Sequence, residues 1–104
     1  MSSHTKKSFE YLDVWAYSNS RTEILVNVKN IGNLEAIVTT ELIEGKPIYA
    51  VNGGVSKPRM PIHLKVGASE TITLSFSSPL ASGITNMTIR TYSGKDYPKI
   101  VVIP

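Results

Sequence analysis

Short, closely spaced runs of alternating apolar and polar residues constrain the fold of this chain most strongly. In residues 23–29, Ile24, Val26 and Val28 occupy every second position, and the same period of two recurs in residues 71–76. Because successive side chains of a strand point to opposite faces, this period predicts half-buried β-strands. No window of a dozen residues carries a helical apolar stripe free of Gly, Pro or dense β-branching. The pattern therefore predicts an all-β fold.

Three turn-forming residues lie between two of the predicted strands early in the chain. They are Asn30, Gly32 and Asn33, and all three tolerate the positive φ values of tight turns. We therefore predict a β-hairpin from about Ile24 to Ile43.

Prolines break the middle of the chain. Pro47, Pro58 and Pro61 keep the short strands of this region at sheet edges, because proline has no N–H for a strand ladder. With these pieces the sequence predicts seven to eight short strands and an antiparallel β-sandwich of immunoglobulin-like type. A small barrel is the alternative. Residues 8–104 would form this single domain, preceded by a flexible N-terminal stub at residues 1–7.

The first predicted strand, residues 8–18, is apolar on both faces. One face carries aromatic side chains: Phe9, Tyr11, Trp15 and Tyr17. The other face carries aliphatic ones: Leu12, Val14 and Ala16. The pattern predicts a strand that is covered on two sides or changes face at a bulge. Asp13 lies among the aromatics, where we expect it to pair with a cross-strand cation or to protect an edge strand; a half-buried carboxyl with a shifted pKa is the alternative.

Composition and charge exclude several classes of protein. Hydrophobic residues make up 41% of the chain and charged residues 18%, which predicts a folded globule. The net charge of +3 is modest and only Lys6 and Lys7 are adjacent lysines, so we expect no nucleic-acid partner. DNA binding through these two lysines is a minor alternative. The absence of cysteine excludes disulfides and thiolate metal sites.

No group of residues with a catalytic arrangement is recognisable. His4 and His63 lack a second ligand at metal-binding spacing, and no G-x-S-x-G motif is present. We therefore predict that the chain is not an enzyme and has no catalytic, cofactor-binding or metal-binding residues, so no cofactor is expected. Asn86 begins the sequon N-M-T and is a candidate glycosylation site if the protein meets a glycosylation system.

Apolar side chains cluster around the proline-broken edge strands. They form the candidate protein interface: Ile48, Tyr49, Val51, Met60 and Ile62. Edge strands with exposed apolar side chains are docking sites for other chains. The alternative is that these five residues cap one end of the sandwich core.

Three segments of the sequence resemble a known group of proteins. Residues 26–32, 67–74 and 82–94 are similar to the "V-x-V-x-N-x-G", "G-x-S/T-x-T-I/V-T-L" and following strand motifs of archaeal archaellin-like and pilin-like extracytoplasmic domains. The resemblance extends over about residues 23–103 and is greatest for the archaellum stator accessory proteins FlaG and FlaF. The last segment departs slightly from the pattern, with Ile84 where the group can carry an aromatic residue and with Met87 among the strand residues.

The resemblance implies a function that the residues alone do not give. It implies a non-enzymatic anchoring protein of the archaeal cell envelope, a stator-like part of the archaellum motor. Its partners would be a second copy, a related accessory subunit or a surface-layer protein. The domain would be held at the membrane by an N-terminal helix absent from this chain, which has no apolar run near 18 residues.

A carbohydrate-binding or adhesion module, or a pilin-type surface module, is the competing hypothesis. A carbohydrate site would use two coplanar, exposed rings as a stacking platform, chosen from four aromatic residues. These are Trp15, Tyr17, Tyr92 and Tyr97.

Overall fold

The structure is a computed structural model that describes residues 7–104. Most of the predicted N-terminal stub, with His4 and Lys6, lies outside these residues. The strands are β1 Leu12–Ser20, β2 Glu23–Asn30, β3 Ala36–Ile43, β4 Lys46–Pro47, β5 Val55–Lys57, β6 Ile62–Leu64, β7 Ser69–Ser75, β8 Gly83–Thr91 and β9 Asp96–Ile103. A single 3₁₀ turn, Ile48–Ala50, interrupts the region that was predicted to be a strand there.

Two antiparallel sheets form a β-sandwich, which confirms the predicted fold class. One sheet has the strand order β1-β2-β7-β5, and the other has the order β4-β3-β8-β9 with β6 also paired to β3. The alternating apolar residues of β2 and β7, such as Val26 and Ile72, are fully buried between the sheets. The period of two therefore places the core where the sequence predicts it.

The predicted hairpin between β2 and β3 is wrong. β2 pairs with β1 and β7, whereas β3 belongs to the other sheet, so residues 31–35 cross from one sheet to the other. Asn30 directs this crossing from a fully buried position. Its Nδ2 donates hydrogen bonds to the carbonyl oxygens of Leu34 at 2.7 Å and Leu64 at 2.9 Å, and its Oδ1 accepts one from the Gly32 N–H at 3.0 Å.

Gly32 is required for close packing and not for a left-handed turn. None of Asn30, Gly32 and Asn33 has a positive φ. A Cβ on Gly32 would lie 2.6 Å from the backbone nitrogen of Tyr11 and 2.7 Å from the carbonyl oxygen of Phe9. The crossing segment therefore packs against the backbone that leads into β1, where only glycine fits.

β1 is covered on one face only, which corrects the prediction of a strand buried on both sides. Leu12 and Val14 face the core, whereas Trp15 is 61% exposed and Tyr11 and Tyr17 are also exposed. β1 is an edge strand, and within residues 7–104 the outer face of its sheet is left exposed at these aromatic positions. The aromatic residues therefore lie on the solvent side.

Glu10 closes one side of the sandwich, where β1 packs beside β9. Its Oε1 accepts hydrogen bonds from Thr91 Oγ1 and Tyr97 OH, both at 2.8 Å, and its Oε2 accepts one from Ser93 Oγ at 2.9 Å. Lys95 Nζ donates to the Glu10 carbonyl at 2.9 Å. Burial raises the pKa of Tyr97, and the hydrogen bond to Glu10 adds to this effect.

Candidate protein interface at the open side of the sandwich

A cleft of about 420 Å³ lies on the side of the sandwich opposite β1 and β9. We call it the edge cleft. Its lining residues are Thr39, Thr40, Glu41, Pro47, Ile48, Tyr49, Gly54, Val55, Ser56, Arg59 and Met60.

The cleft exists because the outer edge of β3 is only partly covered. β6 pairs with residues 36–38 of β3, and β4 pairs with residues 42–43. Within the described chain, residues 39–41 have a partner strand on the β8 side alone. Backbone N–H and C=O groups at such an unpaired edge can accept another chain.

A β-bulge in β3 turns Glu41 toward the core. The pairing with β8 shifts between Val38 and Thr40, where β3 advances by two residues and β8 by one. One extra residue reverses the alternation, so that Val38 before the bulge and Glu41 and Ile43 after it are all buried. Strict alternation along β3 would place Glu41 on the face opposite the buried Val38, which is the solvent face. The burial of Glu41 was therefore not predicted from the sequence.

The Glu41 carboxyl group is buried with few hydrogen-bond partners. The residue is 2% exposed, and its Oε1 has no hydrogen-bond partner among the described residues. Its Oε2 lies 3.3 Å from Ser56 Oγ, but that hydroxyl also donates to the Pro58 carbonyl at 2.8 Å. Burial raises the pKa of Glu41 from 4.5 to about 7, and the contact with Ser56 lowers it only in part.

The five residues of the candidate interface have different environments. Ile48 and Ile62 are buried in the hydrophobic core, and Val51 is partly buried against it. The expectation that these side chains are exposed is therefore wrong for Ile48 and Ile62. Tyr49 is 77% exposed, and Met60 lines the edge cleft from a partly buried position. The 3₁₀ turn explains the difference, because it points Ile48 inward and Tyr49 outward.

The aromatic residues do not form the flat platform that the carbohydrate hypothesis requires. Trp15 and Tyr17 are exposed with ring centroids 4.9 Å apart, but the ring planes are inclined by 45°. Tyr97 is buried, and Tyr92 is exposed in the turn between β8 and β9, away from β1 with Trp15 and Tyr17.

Other residues singled out in the sequence lie at the surface. Asn86 is exposed on β8, so its candidacy for glycosylation remains a prediction. Asp13 is exposed opposite Lys29 of β2 without forming an ion pair with it. His63 is exposed on β6. In residues 7–104, no group of three His, Cys, Asp or Glu side chains is placed to hold a metal ion.

Across the residues that the structure describes, none of the helical segments has the length and apolar character needed to span a bilayer.

Comparison with known proteins finds solved structures with the same fold as this sandwich. No protein-family model and no curated protein sequence matches the chain. Among solved structures, the archaellum periplasmic stator protein FlaG from Sulfolobus acidocaldarius matches with a TM-score of 0.65 and 19% identity, over 88% of this chain and 99% of that one. The fold is that of an archaellum stator domain.

A second stator structure gives the same result. The complex of the stator proteins FlaF and FlaG from Sulfolobus acidocaldarius matches with a TM-score of 0.63 and 19% identity, over 96% of this chain and 99% of that one. The resemblance to stator proteins that the three sequence segments indicate is thus confirmed for the fold.

Proposed function

We propose that this chain is the extracytoplasmic domain of a non-enzymatic structural protein of the archaeal cell envelope, acting as a stator-like component of the archaellum motor. One observation carries the proposal: the stator fold matches over nearly the whole of both chains, with 88% of this chain and 99% of FlaG covered. A sandwich that transmits load to a fixed support needs a rigid core and accessible edges, and it needs no catalytic group.

The partners in this proposal are proteins. One of the matched solved structures is a complex of the stator proteins FlaF and FlaG. We propose that this chain likewise associates with a second copy, a related accessory subunit or a surface-layer protein. Its location would then be outside the cytoplasmic membrane, with an N-terminal helix of the full-length protein as the anchor.

The edge cleft is the proposed contact surface for a protein partner. It combines an exposed aromatic residue, Tyr49, with the partly buried Met60 and the unpaired β3 edge at residues 39–41. Exposed aromatic and methionine side chains are typical of interface centres. An unpaired strand edge adds backbone hydrogen bonds to such a contact.

A motility experiment tests the stator role. In the source organism, the gene for the chain is deleted and restored as wild type, Tyr49→Lys or Tyr92→Lys, and swimming is recorded by microscopy. Tyr92 is a matched control because it is 80% exposed, close to the 77% of Tyr49, and does not line the edge cleft.

The proposal predicts that deletion abolishes swimming while archaellum filaments are still made. Tyr49→Lys should reduce swimming strongly, and Tyr92→Lys should restore it to the wild-type level. Normal swimming of the deletion strain would overturn the proposed function. Equal effects of the two tyrosine variants would overturn the role of the edge cleft in it.

A further inference from the structure

We propose that the edge cleft binds a lysine side chain of the protein partner, with the lysine ammonium group paired to the Glu41 carboxylate. This inference rests on the proposed function, because it names the chemistry by which a partner would occupy the same cleft. The observation behind it is the isolation of Glu41, which is 2% exposed and lines the cleft with one carboxylate oxygen unpartnered among the described residues.

No cation of the described chain compensates this carboxylate. The ion pair found in residues 7–104 joins Arg90 to Asp96 at the surface, at 2.7 Å. Arg59 lines the edge cleft but is exposed and forms no ion pair with Glu41. A buried carboxylate without a cation is costly, and a cationic guest removes that cost if it also fills the cleft.

The hydrogen-bonding pattern favours an ammonium group over a guanidinium group or a metal ion. Ser56 Oγ already lies beside Oε2 of Glu41 at 3.3 Å, so Oε1 is the oxygen without a partner. Guanidinium binds best to both oxygens of a carboxylate at once, whereas ammonium is a compact donor that needs one. A single carboxylate is also too few ligands for a divalent cation.

The walls of the cleft suit the hydrocarbon part of a lysine side chain. Ile48, Tyr49, Val55 and Met60 provide apolar contacts, and the volume of about 420 Å³ is within the range of small ligand pockets. Lysine buries its methylene stem along such surfaces while its charged end meets a polar partner. Glu41 Oε1 is itself buried, and because the terminal torsion of a glutamate is soft, we expect a guest ammonium group to reorient the carboxyl group.

The remaining N–H donors of the ammonium group have acceptors close at hand. Thr39, Thr40 and Ser56 line the same cleft, and the Ser56 hydroxyl lies beside Glu41. The Thr39 hydroxyl donates to the Arg90 carbonyl at 3.3 Å, which leaves its oxygen free to accept. An ammonium group beside Glu41 can therefore satisfy more than one of its three donors.

Binding of lysine should depend on pH through Glu41. The groups facing it are Ser56 on β5, Tyr49 on the 3₁₀ turn, Arg59 in the following loop and the uncharged Ile89 on β8. Because the pKa of Glu41 is about 7 and that of lysine is near 10.4, Glu41 changes charge between pH 6 and 8 and the lysine does not. The carboxylate form binds ammonium, so affinity should fall below pH 7.

The test is an NMR titration of the full chain with Nα-acetyl-lysine methylamide at pH 8 and pH 6. The neutral analogue Nα-acetyl-norleucine methylamide and the corresponding arginine amide serve as comparison probes. Glu41→Gln removes the charge at similar size, and Glu35→Gln is the matched control, because Glu35 is exposed and outside the cleft. A dispersed amide spectrum confirms that each variant is folded.

The inference predicts saturable shifts of the β3 and β5 amides with the lysine probe at pH 8. Affinity should be at least about tenfold weaker for norleucine, for Glu41→Gln and at pH 6, and weaker for arginine than for lysine. Glu35→Gln should bind like wild type. Equal binding of lysine and norleucine, full binding by Glu41→Gln, or no binding of any probe would each overturn the lysine site.

Failure of this titration is distinguishable from failure of the proposed function. The probes are small molecules added to the isolated chain, whereas the stator role is read from swimming cells. A chain that restores swimming but does not bind the lysine probe retains the proposed function and loses only the lysine site.

Discussion

Ser56 Oγ of β5 lies 3.3 Å from Glu41 Oε2 of β3 and so links the two sheets at the open side of the sandwich. The link is weak, because the same hydroxyl donates over a shorter distance of 2.8 Å to the Pro58 carbonyl. On the opposite side, Glu10 accepts three hydrogen bonds of 2.8–2.9 Å. On one side of the sandwich, both carboxylate oxygens of Glu10 accept hydrogen bonds. On the other side, Oε1 of Glu41 has no hydrogen-bond partner among the described residues.

The unsatisfied carboxylate makes stability depend on pH. The pKa of Glu41 in the folded chain is about 7, above its ordinary value of 4.5. The folded state therefore binds the proton more tightly, so stability is greatest below pH 4.5 and declines as the pH rises to about 7. The rise of the Glu41 pKa from 4.5 to about 7 corresponds to a loss of about 3 kcal/mol in the free energy of unfolding over this pH range. Glu41→Gln should lack this decline, and urea unfolding at pH 5 and pH 8 measures it.

Glu35→Gln is the control for this prediction. Glu35 is exposed and has no side-chain hydrogen bond to any residue in the described part of the chain. Its variant should follow the wild-type pH dependence. An equal loss of stability between pH 5 and pH 8 in wild type and Glu41→Gln would contradict the burial of an ionisable Glu41.

Glu10 should be important for stability although it precedes the first strand. Glu10→Ala removes the acceptor of Thr91, Ser93 and Tyr97 and leaves the buried end of β9 without its polar partner. We expect a loss of roughly 2–3 kcal/mol in the free energy of unfolding. Lys95→Met removes one hydrogen bond to the Glu10 carbonyl and the contacts of the ammonium group with the Tyr11 and Tyr97 rings, and at this exposed position it should cost about 1 kcal/mol. Similar losses for both variants would be inconsistent with this arrangement.

Asn30 should tolerate substitution poorly because its side chain supports the crossing between the sheets. Asn30→Ala leaves the carbonyl oxygens of Leu34 and Leu64 without their donor inside the protein. The free energy of unfolding should fall by roughly 2–4 kcal/mol in urea denaturation. Asn33→Ala is the comparison, since the hydrogen bonds of Asn33 are exposed, and its loss should be much smaller. Equal losses would argue against a special role for Asn30.

The outward position of the β1 aromatics has a direct spectroscopic consequence. Trp15 is the single tryptophan of the chain and is 61% exposed. Its fluorescence should be quenched by iodide in the native protein, and Trp15→Ser should change stability by less than about 0.5 kcal/mol. Val14→Ala, on the inward face, should cost about 2 kcal/mol. If iodide does not quench the native fluorescence, Trp15 lies on the buried face of β1, which would contradict its outward position.

The sandwich fold could be predicted from the sequence because alternation reports burial directly. Ile24, Val26 and Val28 alternate cleanly and lie in the core. Their partner strands could not be predicted in the same way. The turn residues at Asn30 and Gly32 are compatible both with a hairpin and with a crossing between sheets, and only the packing of Gly32 against the backbone before β1 decides between them.

The candidate site could be predicted only in part. The proline-rich region was correctly placed at sheet edges, and Tyr49 and Met60 lie at the edge cleft. Glu41 was missed because one extra residue in the bulge of β3 reverses the alternation, and a bulge has no fixed sequence signal. Ile48 was misplaced because a single 3₁₀ turn replaces the predicted strand.

Light scattering of the purified chain over a concentration series tests the central claim, association through the edge cleft, for the simplest of the proposed partners, a second copy of this chain. The mass of wild type and of Tyr92→Lys should grow reversibly with concentration, and that of Tyr49→Lys should remain that of a monomer. A wild-type chain that stays monomeric at every concentration, or a Tyr49→Lys variant that associates like wild type, would contradict self-association through the edge cleft.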